Sequence, residues 1–354
     1  MLDFELNGRT FGYLNPYLIA EIGMNYEGSM ARAKEMIDQV ARAGGHAAKF
    51  QTYKADKLAA KHTSPAYWDT NAEPTKSQHE LFQRFDAFGP EEYAELAAHC
   101  KSVGVDFMST PFDLDAVDFL TPLMPVTKIA SADLTNIPLI RKIAKTGNPV
   151  VMSVGAGSHQ EMERAIEEVL SNGAPSLTLL HCVLNYPTPR ENAHLSQIKV
   201  LQERYSDRVS IGYSDHVKPE PDGTVPALEI AAIYGARVIE KHFTDDKNGN
   251  GNDHYHAVNE ADLKNFVDRL AIYRELYGDG DLHLETQGSA ISNARRRVIA
   301  ARDISAGEVI QESDLIALRS NVGIEIFDWD QVVGKRAKTD ISLDAPVSWE
   351  NLDA

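Results

Sequence analysis

Cysteine is almost missing from this chain. Only Cys100 and Cys182 occur in 354 residues, so no disulfide framework is expected and a reducing compartment is. Basic charge is also short. Lysine and arginine number 35 against 52 aspartates and glutamates, a formal net charge of -17. That balance argues against a nucleic-acid footprint, which needs clustered cations. It still permits a small anion in a local basic pocket. No apolar run is long enough to suggest a membrane span. The opening MLDFELNGRTFGYLNPY has neither a basic start nor an apolar signal core, and a cytoplasmic protein is expected. No GxGxxG follows the first apolar run, which ends EIGMNYEGS. Its absence disfavours an open dinucleotide-binding sheet.

What the chain does have is alternation. Short apolar runs occur at YLIAEIG (17–23), HAAKFQT (46–52), VDFMSTP (105–111), VTKIAS (126–131), PVVMSVG (149–155), SLTLLHC (176–182), RVSIGYSD (208–215) and RVIEKHFT (237–244). Helical patterns separate them, such as SMARAKEMIDQVARAGG and HQEMERAIEEVLSNG, and EADLKNFVDRLAIYREL closes the series. The runs are continuously apolar, as strands covered on both faces must be. Eight such units within roughly 275 residues predict an α/β fold, the (β/α)8 TIM barrel, over residues 1–277. GDGDLHLETQGSAISN loses the pattern, and residues 278–294 read as a linker. Residues 295–354 carry short strand-like runs and predict a small mostly-β domain, near the lower size limit for folding alone.

Polar residues gather where the apolar runs end. Glu21 closes the first, Lys49 and Gln51 the second, Ser109 and Thr110 the third, Lys128 and Ser131 the fourth, and Ser153 the fifth. His181 and Cys182 end the sixth, with Asn185 and Tyr186 just beyond. Ser214, Asp215 and His216 end the seventh; Glu240, Lys241, His242 and Thr244 end the eighth. In a barrel these ends converge on the face that carries active sites. Lys49 and Lys128 interrupt apolar runs, so burial demands an anion or a carboxylate beside each. With the hydroxyls of Thr110, Ser131, Ser153 and Ser214 they suit a phosphate- or carboxylate-bearing ligand. Glu21 and Asp133 are candidate proton-transfer groups, or alternatively ion-pair partners of those lysines. His216 and His242 end neighbouring strands. They are either hydrogen-bonded structural residues or two ligands of an open metal site, with Mn2+ favoured over Ca2+. His254 and His256 are expected on a solvated loop, and His181 in the packed core. The insertion 53–89 is expected to hold a helix, SQHELFQRFD, and the rest to form either a lid or a plain rim elaboration.

The motifs IAEIGMNYEGS, AKFQT, FMSTPF, KIASAD, LLHCVLNYPTP, IGYSDH and IEKHFT, in this order, resemble the sialic acid synthase family. That family includes the N-acetylneuraminate, legionaminate and pseudaminate synthases. ARDISAGEVIQESDL and VVGKRAKTDI resemble its antifreeze-like (SAF) domain. The resemblance implies condensation of phosphoenolpyruvate with an N-acylated aminosugar aldehyde to a nine-carbon 2-keto acid and phosphate. It also implies a divalent cation, Mn2+ ahead of Mg2+, and a domain-swapped homodimer whose SAF domain caps the partner's barrel. Position by position, Lys49, Thr110, Lys128, Ser131, Ser153 and Ser214 match the phosphoenolpyruvate pocket, and His216 and His242 the metal ligands. Gln51, Tyr186 and Asp253 match sugar contacts. Asp133 and Glu21 match catalytic acidic positions, and Arg319 matches the SAF arginine that reaches the partner's sugar. The rival enzyme is another phosphoenolpyruvate-dependent aldolase acting on a simpler aldehyde. A non-catalytic sugar- or ice-binding protein has no need for polar residues at eight strand ends.

Overall fold

The computed structural model describes residues 2–66, 74–249 and 253–353. Contacts divide the chain into two compact units, Met1–Tyr277 and Gly278–Ala354. The first opens with a hairpin, β1 (Phe4–Leu6) against β2 (Arg9–Phe11), antiparallel. Eight strands follow: β3 (Tyr17–Gly23), β4 (Ala47–Thr52), β5 (Asp106–Pro111), β6 (Thr127–Ile129), β7 (Val150–Ser153), β8 (Leu177–Cys182), β9 (Ser210–Asp215) and β10 (Val238–His242). They form one sheet in the order β5-β4-β3-β10-β9-β8-β7-β6, and every paired neighbour is parallel. Strands β5 and β6, at the ends of that order, pack side by side. The sheet thereby curls into the (β/α)8 barrel expected from the alternation.

The helices form because their sequences mark both ends and one face. Met30–Ala43 is typical. Ser29 caps its start by accepting from the Arg32 amide at 3.3 Å, and Gly44 ends it at φ 82°, a left-handed turn that favours glycine. Ala33, Met36, Ile37 and Val40 recur at helical spacing and are fully buried against the sheet.

Inside the barrel side chains alternate, so every second residue enters the lumen. Its lower part is apolar: Tyr17, Ile19, Ala47, Met108, Val126, Val151, Leu180 and Val238 pack in one buried cluster. Phe4, Leu6 and Phe11 of the hairpin belong to the same cluster and plug that end. The ring of Tyr17 lies 5.3 Å from Phe4 and 5.0 Å from Phe11 between centroids. Asn7 and Gly8, at φ 51° and 74°, make the two-residue turn that such hairpins favour; the sequence-based expectation had no hairpin there.

In the second unit, β11 (Arg296–Ala300) pairs antiparallel with β12 (Leu315–Arg319). Val298, Ile304, Ile310, Ile324, Val332 and Val347 make its small core. Residues 278–294 are exposed throughout or nearly so, yet they contain a 3-10 turn at Leu284–Gln287 and a helix at Gly288–Ala294. In the 53–89 insertion the expected helix spans Gln78–Gln83. Part of the segment expected as either a lid or a plain rim elaboration, residues 67–73, and part of the Gly-Asn turn, residues 250–252, lie outside the described residues.

Candidate active site

The alternation that fills the lower lumen with apolar residues carries seven of the eight strands, two residues on, to a more polar one. Ile19 is followed by Glu21, Ala47 by Lys49, Met108 by Thr110, Val126 by Lys128, Val151 by Ser153, Leu180 by Cys182 and Val238 by Glu240. These residues floor a cavity of about 510 Å³ at the C-terminal ends of the strands.

Charge in this floor is paired and buried. Lys49, 2% exposed, forms an ion pair with Glu21 and donates to Thr110 Oγ1 at 3.1 Å. Glu240 lies between the two lysines, 3.6 Å from Lys49 Nζ and 3.8 Å from Lys128 Nζ. It also accepts from Ser214 Oγ at 3.2 Å. Lys128 otherwise donates only to the Ile129 carbonyl, at 3.0 Å, among the described residues. Burial pulls Lys128 below the usual lysine range. For Lys49 burial acts the same way, but Glu21 and Glu240 outweigh it and hold the ammonium charged. Glu21 is raised by burial, against the pull of Lys49. Burial would raise Glu240 too, but Lys128 and then Lys49 keep it below the ordinary range. Glu21 is thus the lysine's partner, which was one of the two alternatives for it. Asp133 is not: it accepts from Asn136 Nδ2 at 2.9 Å, on the turn Ser131–Asp133, and burial raises its pKa.

Hydroxyls complete the floor. Ser131 Oγ accepts from the Gly155 amide at 2.9 Å. A side chain at Gly155 would meet that oxygen at 3.0 Å and Cys182 Sγ at 3.2 Å, so glycine keeps the approach open. Ser153 Oγ is buried and has no hydrogen-bond partner among the described residues. A buried hydroxyl without a partner, in a cavity that Lys49 and Lys128 also line, fits an acceptor-rich ligand.

Imidazoles stand at the rim. His216, just past β9, and His242, ending β10, have ring centroids 5.3 Å apart, and Tyr186 lies 4.1 Å from His216. His216 donates Nδ1–H to the Val183 carbonyl at 2.9 Å, which leaves Nε2 with its lone pair. Burial pushes His216 down to about 4, and burial followed by His256 and His216 lowers His242 far below the ordinary range. Both rings are therefore neutral near pH 7. His242 Nδ1 is buried and has no hydrogen bond among the described residues.

The expectation that His254 and His256 are solvated is wrong. They are 1% and 0% exposed. After the loop, Val258 returns beside Phe243: its amide donates to the His242 carbonyl at 2.8 Å, and its carbonyl accepts from the Thr244 amide at 2.9 Å. A 3-10 turn at His254–His256 is thereby drawn inward. His254 bonds Thr244 Oγ1 at 2.7 Å. His256 lies against His242 with the rings tilted at 59° and their centroids 4.8 Å apart. Ligand atoms of His242, Asp253 and His256 lie within 4.8 Å of one another; His216 stands outside that trio, beside it. Imidazoles, a carboxyl group and an unbonded buried nitrogen fit a divalent cation. Asp253 Oδ2 is 3.7 Å from His242 Nδ1. Its carboxyl is pushed up to about 7, first by burial, then by Glu21, with Lys49 opposing.

Gln51 donates to Glu21 Oε1 at 2.9 Å and, with Tyr186 and Asp253, lines the cavity. Arg319 ends β12, in the second unit. Sequence reasoning gave no role to Glu240, although it sits two residues before His242 and so on the same strand face. His181 is a core residue as expected, bonded to the Ala193 carbonyl at 2.8 Å and stacked on Tyr213.

The NeuB family model matches residues 36–282, and the SAF domain model residues 295–353. An N,N'-diacetyllegionaminic acid synthase from Legionella pneumophila is 33% identical, over 96% of this chain and 95% of its own length. One from Campylobacter jejuni is 33% identical, over 90% of this chain and 95% of its own. The crystal structure of an N-acetylneuraminic acid (sialic acid) synthetase from Leptospira borgpetersenii is similar at TM-score 0.70 and 30% identity. It covers 82% of this chain and 95% of the synthetase.

Proposed function

The chain belongs to the NeuB family, and from that premise we propose that it condenses phosphoenolpyruvate with an N-acylated aminosugar aldehyde such as N-acetylmannosamine. The products are a nine-carbon 2-keto acid and phosphate. The observation that carries this proposal is the pair of buried lysines, Lys49 and Lys128, flooring a cavity whose rim holds neutral imidazoles. A dianionic phosphate beside a carboxylate matches the floor; an aldehyde oxygen suits the rim.

Lys49, Lys128, Thr110, Ser131, Ser153 and Ser214 hold the phosphate and carboxylate of phosphoenolpyruvate and fix which face of its alkene is presented. Gln51, Tyr186 and Asp253 orient the sugar. The alkene carbon bonds to the aldehyde carbon, and the cationic carbon left behind takes up water. The tetrahedral adduct then breaks its C–O bond to phosphate, leaving the ketone. Asp133, or else Glu21, takes one proton from the water, the alkoxide made from the aldehyde gains a proton to become a hydroxyl, and the water's second proton leaves as phosphate departs; carboxyls raised by burial lie nearer the working pH, as a base requires. His216 and His242, with Asp253 and His256 adjacent, would hold a divalent cation, Mn2+ ahead of Mg2+, whose contribution is Lewis-acid polarisation of the aldehyde.

The walls bear on the sugar. Leu58, Leu81, Phe82 and Phe85 of the insertion line the cavity, and among the described residues no arginine and no lysine beyond Lys49 and Lys128 does. That supports an unphosphorylated aldehyde. We propose further that the chain works as a domain-swapped homodimer in which Arg319 reaches the partner's sugar. Incubation with phosphoenolpyruvate, Mn2+ and a panel of N-acylated aminosugars, scored by phosphate release and product mass, tests the proposal. Phosphate release with N-acetylmannosamine or a diacetamido-trideoxy hexose, and little with the 6-phosphate, is expected. No release with any N-acylated aminosugar overturns it.

A further inference from the structure

Behind the imidazole rim lies a second buried charge pair that takes no part in the chemistry above. Asp215 and Lys241 are 2% and 3% exposed. They are direct cross-strand partners in the β9–β10 register, and each is the residue immediately before a proposed ligand, His216 and His242. The two-residue alternation turns both away from the lumen. Lys241 Nζ donates to Asp215 Oδ2 at 2.7 Å and also to the Val217 carbonyl. Asp215 Oδ1 accepts from Tyr213 Oη at 2.7 Å and from the Val217 amide at 2.9 Å. His216 is therefore straddled: the carboxylate before it accepts from the amide after it, and a lysine from the next strand donates to that carboxylate and to the Val217 carbonyl.

We propose that Asp215 and Lys241 are positioning residues that fix the spacing of the His216 and His242 imidazoles. Stability alone gives no reason for the pair. A buried ion pair costs desolvation on both sides, and uncharged residues of similar volume usually serve a fold as well or better. What the pair does, and packing alone does not, is tie the turn at residues 215–217 to the end of β10. Neither side chain lines the cavity, so the effect reaches the site through the backbone. Residues that orient metal ligands from behind typically change metal affinity 10- to 100-fold when removed.

The functional half of this inference rests on the cation site proposed above, so its test has two readouts. Asp215→Asn/Lys241→Met removes both charges together and leaves neither buried alone, which keeps the fold. In full-length protein labelled at histidine 13Cε1, without metal, the His216 and His242 resonances are expected to move and broaden while His181 stays put. By calorimetry, the Mn2+ dissociation constant is expected to rise 10- to 100-fold. Unchanged His216 and His242 resonances overturn the positioning role whether or not metal binds. Moved resonances with wild-type Mn2+ affinity overturn its link to the cation. Wild-type protein that binds no Mn2+ overturns the metal site itself, a failure separate from the first. A single Lys241→Met variant serves as a folding control, since it leaves Asp215 buried without its cation and is expected to lower the melting temperature where the double variant does not.

Discussion

Glu240 faces both lysines of the floor and so holds together two like charges that would otherwise repel. Glu240→Gln removes the charge but keeps the shape. With its carboxylate gone, the ligand-free protein is expected to lose about 3 kcal/mol of stability, and inorganic phosphate should recover part of it by binding where the charge was needed. Thermal melts with and without phosphate measure both effects; a variant that melts like the wild type in each buffer denies Glu240 the counter-ion role. Asp253 sets a pH dependence at the rim. Its carboxyl stands at about 7, and a cation needs the carboxylate, so binding releases a proton below that pH and none above. Mn2+ affinity is therefore expected to fall by up to about tenfold per unit below about pH 7 and to level off above it. His216, at about 4, stays neutral through this window. Asp253→Asn should weaken binding and flatten the slope, as calorimetric titration between pH 6 and 8 would show.

Among the elements, the β1–β2 hairpin and the start of β4 meet around His46. The Leu18 amide donates to His46 Nδ1 at 2.9 Å, and the ring is stacked on Tyr17 with Phe11 at its edge. Burial first, then Arg9, pushes its pKa from 6.5 to about 4. The unfolded chain thus takes up this proton before the folded one does as pH falls. The stabilising effect of a neutral His46 is complete above about 6.5 and is lost progressively down to about 4, at most about 3 kcal/mol in all. His46→Asn keeps a neutral acceptor, so urea denaturation of the variant should lose less stability over that range than the wild type. An equal loss would show that His46 does not govern this end of the barrel. Strands β3 to β10 were legible because each is an apolar run ended by polar residues, and that pattern also pointed to Lys49, Lys128, His216 and His242. The hairpin was legible only through its Asn7-Gly8 turn pair, because FEL and RTF offer no continuous apolar run. Nor was the burial of His254 and His256, which depends on Val258 returning to pair beside Phe243; glycines and asparagines just upstream look like a solvated turn from local composition.

At the scale of the whole molecule, the first unit holds every candidate site residue except Arg319. If Arg319 acts in trans, two defective chains should repair each other. Lys49→Ala has a dead barrel and an intact second unit; Arg319→Ala has the reverse. Co-refolded or co-expressed as a mixed dimer, they are expected to restore one working site in two, or about a quarter of wild-type activity in a random mixture of chains. A mixture no more active than the two variants measured separately would place Arg319 in cis or outside the reaction. The barrel's lumen has a practical consequence of another kind. On strand after strand one two-residue step separates packing from the cavity, so the plug end and the rim draw on different positions of the same segments. A library confined to the rim and the 53–89 insertion would explore new aldehydes while leaving Tyr17, Ile19, Met108 and Leu180 untouched. Selection for solubility could act on the opposite end at the same time, and the two searches would have no position in common.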